Sequence, residues 1–104
     1  MIVTNTPEVP GKKIIKILGI VKGTTVRSKH IGKDIGAGLK SLVGGELKSY
    51  TNMLSQAREE ANNRMVNEAI KMDADAIINV RFTTSAVTQA AAELLVYGTA
   101  VKIK

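Results

Sequence analysis

Ala57-Arg58-Glu59-Glu60-Ala61-Asn62-Asn63-Arg64-Met65-Val66-Asn67-Glu68-Ala69-Ile70-Lys71-Met72 runs through Asp73-Ala74-Asp75 into Ala76-Ile77-Ile78-Asn79-Val80-Arg81-Phe82-Thr83-Thr84, and this stretch decides the fold. At 100° per residue, Leu54, Ala57, Ala61, Met65, Ala69 and Met72 gather on one narrow face, which predicts a helix from about Tyr50 to Met72. Its alanines allow that face to lie close against a sheet. Beyond Asp75 the spacing changes: Ile78, Val80 and Phe82 fall on one side and Asn79 and Arg81 on the other, the alternation of a half-buried antiparallel strand. Val66 and Ile70 point away from the alanine stripe among polar neighbours, a second apolar strip of the kind that faces a neighbouring subunit.

C-terminal to this stretch, Leu95, Tyr97, Thr99, Val101 and Ile103 alternate with Leu94, Val96, Gly98 and Ala100, giving a last strand from Leu94 to Ile103 that forms a hairpin with the preceding one. The link Ser85 to Ala92 has no Asn-Gly or Asp-Gly signal and reads as a longer loop. On the N-terminal side, Ile31, Ile35, Leu39, Leu42 and Val43 are spaced by threes and fours, which predicts another helix despite Gly32, Gly36 and Gly38, with Gly44-Gly45 ending it. Before that, Ile14-Ile15-Lys16-Ile17-Leu18-Gly19-Ile20-Val21 is a β-branched run apolar on both faces, expected to be a central strand or one covered on both sides. Thr24 to Lys29 either continues this strand or pairs beside it. Residues 1–104 thus form one α+β domain of order β-α-α-β-β, two helices on a small twisted antiparallel sheet, the first strand straight or bent into two.

Composition excludes more than it identifies. The chain has 104 residues, 44% of them hydrophobic and 23% charged, the balance of a globular domain. With no cysteine there is no disulfide, thiolate zinc site or cysteine nucleophile. Met1 to Pro7 has neither the basic nor the apolar region of a signal peptide, and no apolar run is long enough to cross a bilayer, so the cytoplasm is the expected compartment. The net charge of +6 resides entirely in residues 1–52, which permits an anionic partner such as nucleic acid, although Lys12, Lys13, Lys16, Lys22 and Lys29 also read simply as solubilising residues. That half lacks the interleaved aromatics of single-strand binders.

The chemical candidates are thin. The lone His30 has only a lysine, a serine and Asp34 near it in sequence. Met65 and Met72 lie on the core stripe, where methionine fills gaps. Gly36-Ala37-Gly38-Leu39-Lys40-Ser41 completes neither a dinucleotide nor a P-loop pattern. Glu60, Arg64 and Glu68 read as a solvated ladder of charge pairs. Asp73 and Asp75, just past the helix, suit a turn or a contact with Lys71, and could alternatively meet a cation. No nucleophile is paired with a base, so the chain reads as a non-enzyme.

The ordered set Thr4, Thr6 and Pro7 with Gly11-Lys12; Leu18-Gly19-Ile20-Val21 with Gly23; Val43-Gly44-Gly45 and Tyr50; Ala57-Arg58-Glu59 with Ala61; Ala74-Asp75-Ala76; and Gly98-Thr99-Ala100-Val101 resembles the YbjQ-like family. That family is uncharacterised and often labelled heavy-metal-binding. The resemblance implies a small α+β subunit assembling as a ring-like homo-oligomer, a pentamer, in line with the strip at Val66 and Ile70. A metal ion enters by the family label alone. A small ligand or ion at subunit interfaces would meet the residues Gly19, Gly44, Gly45, Asp75, Gly98 and Thr99. The alternative is a nucleic-acid or polyanion accessory protein using the basic N-terminal half. The chain departs from the family pattern at Asp73, where glycine is usual, at Arg81, which replaces an acid, and at Glu93, in a segment of small residues and methionine.

Overall fold

The computed structural model describes residues 1–28, 45–86 and 91–104. Strand β1 is Ile2–Val3, β2 is Ile14–Ser28, helix α1 is Gly45–Lys71, β3 is Ala76–Ala86 and β4 is Ala91–Ile103. The four strands form one sheet in the order β1-β3-β4-β2. The helix expected over Ile31–Val43 lies outside the described residues, among which α1 is the single helix.

The sheet is mixed rather than antiparallel throughout. β2 and β3 both run antiparallel to β4, but Ile2 and Val3 pair in parallel with Ala76 and Ile77. The lead then follows the edge of β3, with Thr4 N–H donating to Ile77 O at 2.9 Å, Val80 N–H to Thr4 O at 3.0 Å and Asn79 N–H to Thr6 O at 3.1 Å. Unpaired edge groups on β3 are thereby satisfied by the chain's own start.

Helix α1 extends about 40 Å and crosses β2 and β4 on one face. Ala57, Ala61, Met65 and Ala69 of the expected stripe are fully buried there, whereas Met72 and Leu54 keep part of their surface. The helix begins at Gly45, five residues ahead of the expected start. Its close approach is fixed by Gly23: a Cβ there would overlap the Ala61 carbonyl and sit 2.7 Å from the Met65 amide nitrogen. Two residues on, buried Thr25 donates its hydroxyl to Ala57 O at 3.2 Å, so the contact carries no unsatisfied hydroxyl.

Two apolar clusters sandwich the sheet. Val21, Ala61, Met65, Ala69, Ile77, Val80, Val96 and Ala100 form the main core under α1. On the opposite face, at the β3 start, Val9 of the lead covers Ala76, Ile78 and Val101. Val80 and Ile78 thus lie on opposite faces, against the alternation read from sequence. The cause is a bulge between Ile78 and Arg81, where Asn79 takes a φ of 54° and shifts the phase. Phe82 pairs with Val96 on the helix side but remains exposed, because α1 lies over β2 and β4 and scarcely reaches β3.

The long first strand is continuous through Thr24 to Ser28, yet it is an edge strand and not a central one. Val21 is buried under the helix, while Ile15, Ile17 and Ile20 are 57%, 69% and 74% exposed. Bulges between Ile14 and Lys16 and between Ile17 and Gly19 mark its first half. The β3–β4 hairpin runs further than expected, since Ser85 pairs with Glu93 and Ala86 with Ala92, leaving only residues 87–90 between the strands.

Candidate functional site

Helix α1 ends in a Schellman motif: Ala74 N–H donates to Ala69 O at 3.0 Å and Asp73 N–H to Ile70 O at 2.9 Å, with Asp73 left-handed at φ 61°. This turn delivers Asp75 to the edge of β4. Its backbone N–H donates to Val101 O at 2.9 Å and its carboxylate accepts the Ile103 N–H at 3.0 Å. The Lys102 ammonium lies 3.4 Å from an oxygen of each of Asp73 and Asp75 and donates to the Asp73 carbonyl at 2.9 Å. The partner of these acids is therefore Lys102 and not Lys71, which pairs with Glu68 at 3.2 Å.

The charges reinforce one another. The donated Ile103 amide holds the Asp75 carboxyl below its ordinary range; desolvation opposes this, and Lys102 adds to the lowering. Desolvation pulls Lys102 down, but Asp73 and Asp75 outweigh it and raise the ammonium above its usual value. Both ionised forms are thereby favoured at neutral pH, and the cluster reads as a clasp between helix end and last strand.

Of the glycines expected to meet a ligand, Gly98 is closely packed within the chain. Gly19 sits at the β2 bulge with a φ of 145° and Met72 Cε 3.9 Å from where a Cβ would stand. A Cβ on Gly98 would stand 2.7 Å from Ile77 Cγ2 and 3.0 Å from Val80 Cγ2, so Gly98 is filled from the helix side. Thr99, between Ile20 and Ile78 in the ladder, is half-buried on the other face. Asp75 joins this neighbourhood through Val101 and Ile103. Gly45 does not, since it opens α1 at the end remote from Asp75, and Gly44 lies outside the described residues. Of the expected interface pair, Val66 is half-buried against the main core and Ile70 is 57% exposed.

A shallow groove of roughly 460 Å³ separates residues Lys22 to Thr24 of β2 from Arg64, Asn67, Glu68 and Lys71 of α1. Its charges are largely spoken for: Arg64 pairs with Glu60 at 2.8 Å and donates to Thr24 O at 2.5 Å. Glu60 also meets Arg27, while Glu68 turns to Lys71, so the expected Glu60–Arg64–Glu68 ladder is split between two partnerships. The Arg64 guanidinium meets the β2 backbone at Thr24.

A soft heavy-metal ion requires thiolate, imidazole or exposed thioether donors. The chain has no cysteine and one histidine, Met65 is sealed in the core, Asp73 and Asp75 already hold an ammonium, and Met1 and Met72 are the exposed thioethers among the described residues. Among the described residues no three His, Cys, Asp or Glu side chains converge. These residues do not fit a heavy-metal centre. No helix among them is long and apolar enough to cross a membrane.

Sequence reasoning missed one arrangement. Lys22 pairs with Tyr97 and Tyr97 with Arg81 across β2, β4 and β3, so three side chains distant in sequence form one row on the face away from α1. Only the register could have revealed it.

Comparison with known proteins places the chain among relatives. A family model described as "Putative heavy-metal-binding", of the YbjQ type, matches residues 1–104. A UPF0145 protein of Methanoculleus marisnigri is 62% identical over 103 residues, covering 99% of this chain and 96% of that one. One from Archaeoglobus fulgidus is 59% identical over 104 residues, covering 100% and 96%. A crystal structure of a protein of unknown function from Pediococcus pentosaceus, assigned to the DUF74 family, superposes with a TM-score of 0.69 at 20% identity, covering 100% of this chain and 98% of that one. That likeness concerns the fold alone. The match over the whole length, together with relatives of such identity, means that the chain belongs to the uncharacterised YbjQ-like, or UPF0145, family.

Proposed function

We propose that the chain is a non-enzymatic cytoplasmic subunit of a ring-forming homo-oligomer, a pentamer as the resemblance implies, holding a small ligand where subunits meet. The observation that carries this reading is the edge strand β2, whose Ile15, Ile17 and Ile20 are 57–74% exposed on a strand with a sheet neighbour on one side alone among the described residues. Isolated proteins blunt such edges with charge and bulges, as Lys16, Lys22, Arg64 and the two bulges do here, and the isoleucines left exposed among them are suited to another chain. Exposed Ile70 and Phe82 extend the apolar surface available to neighbours. The donor set argues for an organic or hard ionic ligand over a soft metal, and a binding role suits a chain with no cysteine and a single histidine.

Native mass spectrometry of the purified protein tests both halves of the proposal. A closed ring carrying a reproducible additional mass is expected. A bare monomer at micromolar concentration would remove the reading, and retention of the added mass by a monomeric Ile70→Lys variant would separate the ligand from the interface.

A further inference from the structure

The face of the sheet away from α1 is covered by the lead only at its Ile78–Val101 end. Beyond that end the cross-strand rows are Ile20–Thr99–Ile78, then Lys22–Tyr97–Arg81, then Thr24–Leu95–Thr83. Directly paired residues project to the same side, and strands are about 4.8 Å apart, so Lys22 and Arg81 flank Tyr97 with roughly 10 Å between their backbones. The Tyr97 side is fixed independently: Val96 and Gly98 on either side of it are buried under the helix, and Tyr97 itself is 39% exposed. Arg81 is set in place by the lead, its Nη1 donating to Asn5 O at 3.1 Å and Val80 O at 3.2 Å. Neither Arg81 nor Lys22 has an acidic partner among the described residues. The acid on β4 nearest the row is Glu93, four residues along and about 13 Å away at strand rise. Half-buried Leu95 and Thr99 floor the two sides of the ring.

We infer that this row is a nucleotide-binding platform: an aromatic base stacks on the Tyr97 ring while its phosphate lies between Lys22 and Arg81. An exposed ring with a cation on each side, neither of them in an ion pair among the described residues, is complementary to a flat apolar ring joined to an anion, the chemistry shared by a free nucleotide and by one unit of a single strand. The platform goes beyond the interface reading and does not rest on it, since all three residues belong to one chain.

The test is a titration of the intact protein at low salt with adenosine monophosphate, with a fluorescent single-stranded deoxyadenosine decanucleotide, and with inorganic phosphate. Binding of either nucleotide probe, at least tenfold tighter than phosphate, supports the platform; preference between the two probes tells a free ligand from a strand. Tyr97→Leu should weaken that binding about tenfold, within the range for loss of one stacked base, while Tyr97→Phe restores it. Lys22→Gln or Arg81→Gln should each reduce the log–log salt slope of decanucleotide binding by about 0.7. Absence of binding to every probe overturns the inference. So does a Tyr97→Leu protein, folded by circular dichroism, that binds unchanged, which would leave the ring a cation–aromatic prop for the strands. Binding by a protein that sediments as a monomer would support the platform and remove the interface reading, so the two fail separately.

Discussion

Lys102 of the last strand donates to the carbonyl of Asp73 at 2.9 Å, the residue whose left-handed conformation ends the helix. Helix exit and strand end are thereby tied by a backbone acceptor that any residue at position 73 would supply. The Asp73 side chain adds little, being 97% exposed at 3.4 Å from the ammonium. Glycine adopts a φ of 61° without the steric cost borne by aspartate. Asp73→Gly should therefore raise unfolding stability by about 0.5–1 kcal/mol, measured as a higher urea midpoint at unchanged slope. A lower midpoint would mean that the carboxylate contributes more than its exposure allows.

Asp75 gives a pH signature of definite sign. Its folded pKa lies below the ordinary 3.8, so the stability it contributes is present above that value and is lost as pH falls through the lower folded value. Thermal midpoints of the native protein and Asp75→Asn should differ by a constant amount from neutrality to about pH 5 and converge below pH 4. Lys102, whose folded pKa is raised above 10.5, supplies the converse: its contribution is present below that value and declines as pH rises through the folded one. A difference that widened on acidification would contradict the Ile103–Asp75 bond.

Two glycines should be ranked by what a methyl group would strike. At Gly23 it meets the Ala61 and Met65 backbone inside α1, which can yield only by moving the helix. At Gly98 the obstacles are the branched Ile77 and Val80 methyls and the Ile78 carbonyl, none closer than 2.7 Å, a looser fit than at Gly23. Gly23→Ala should cost about 3 kcal/mol and Gly98→Ala less, by chemical denaturation.

Ile17→Lys and Ile20→Lys should leave monomer stability within about 0.5 kcal/mol, because these side chains bury little within the chain. If the proposed ring forms, sedimentation velocity should show that these substitutions disperse it. Substitutions that instead unfolded the protein would mean that the exposed strip is supported within one chain.

Features governed by local period were legible in the sequence. The stripe Ala57, Ala61, Met65, Ala69 and the alternation of Val96, Gly98 and Ala100 both obey the periods of their elements. The bulge at Asn79 was not, since one residue of positive φ reverses every face after it and asparagine is only a faint signal of that conformation. The apolar run Ile14–Ile20 read as a covered, central strand but lies at the sheet edge with Ile15, Ile17 and Ile20 exposed, because hydrophobicity along a strand does not give its place in the sheet. Site residues fared similarly: Gly19, Gly98 and Thr99 fall together through the β2–β4 ladder, and Lys22, Tyr97 and Arg81 meet only through register.

The pairing of β2 with β4 joins residues 14–28 to residues 91–103, nearly the two ends of the chain. During synthesis the isoleucine-rich strand leaves the ribosome first and its ladder partner last. At about 5–20 residues per second, it waits several seconds with both edges bare. The sheet therefore closes late and by long-range contacts, a topology that folds slowly. A nascent chain released before Ala91 lacks every ladder partner that β2 has among the described residues, so the order of the strands leaves that edge bare until the last one emerges.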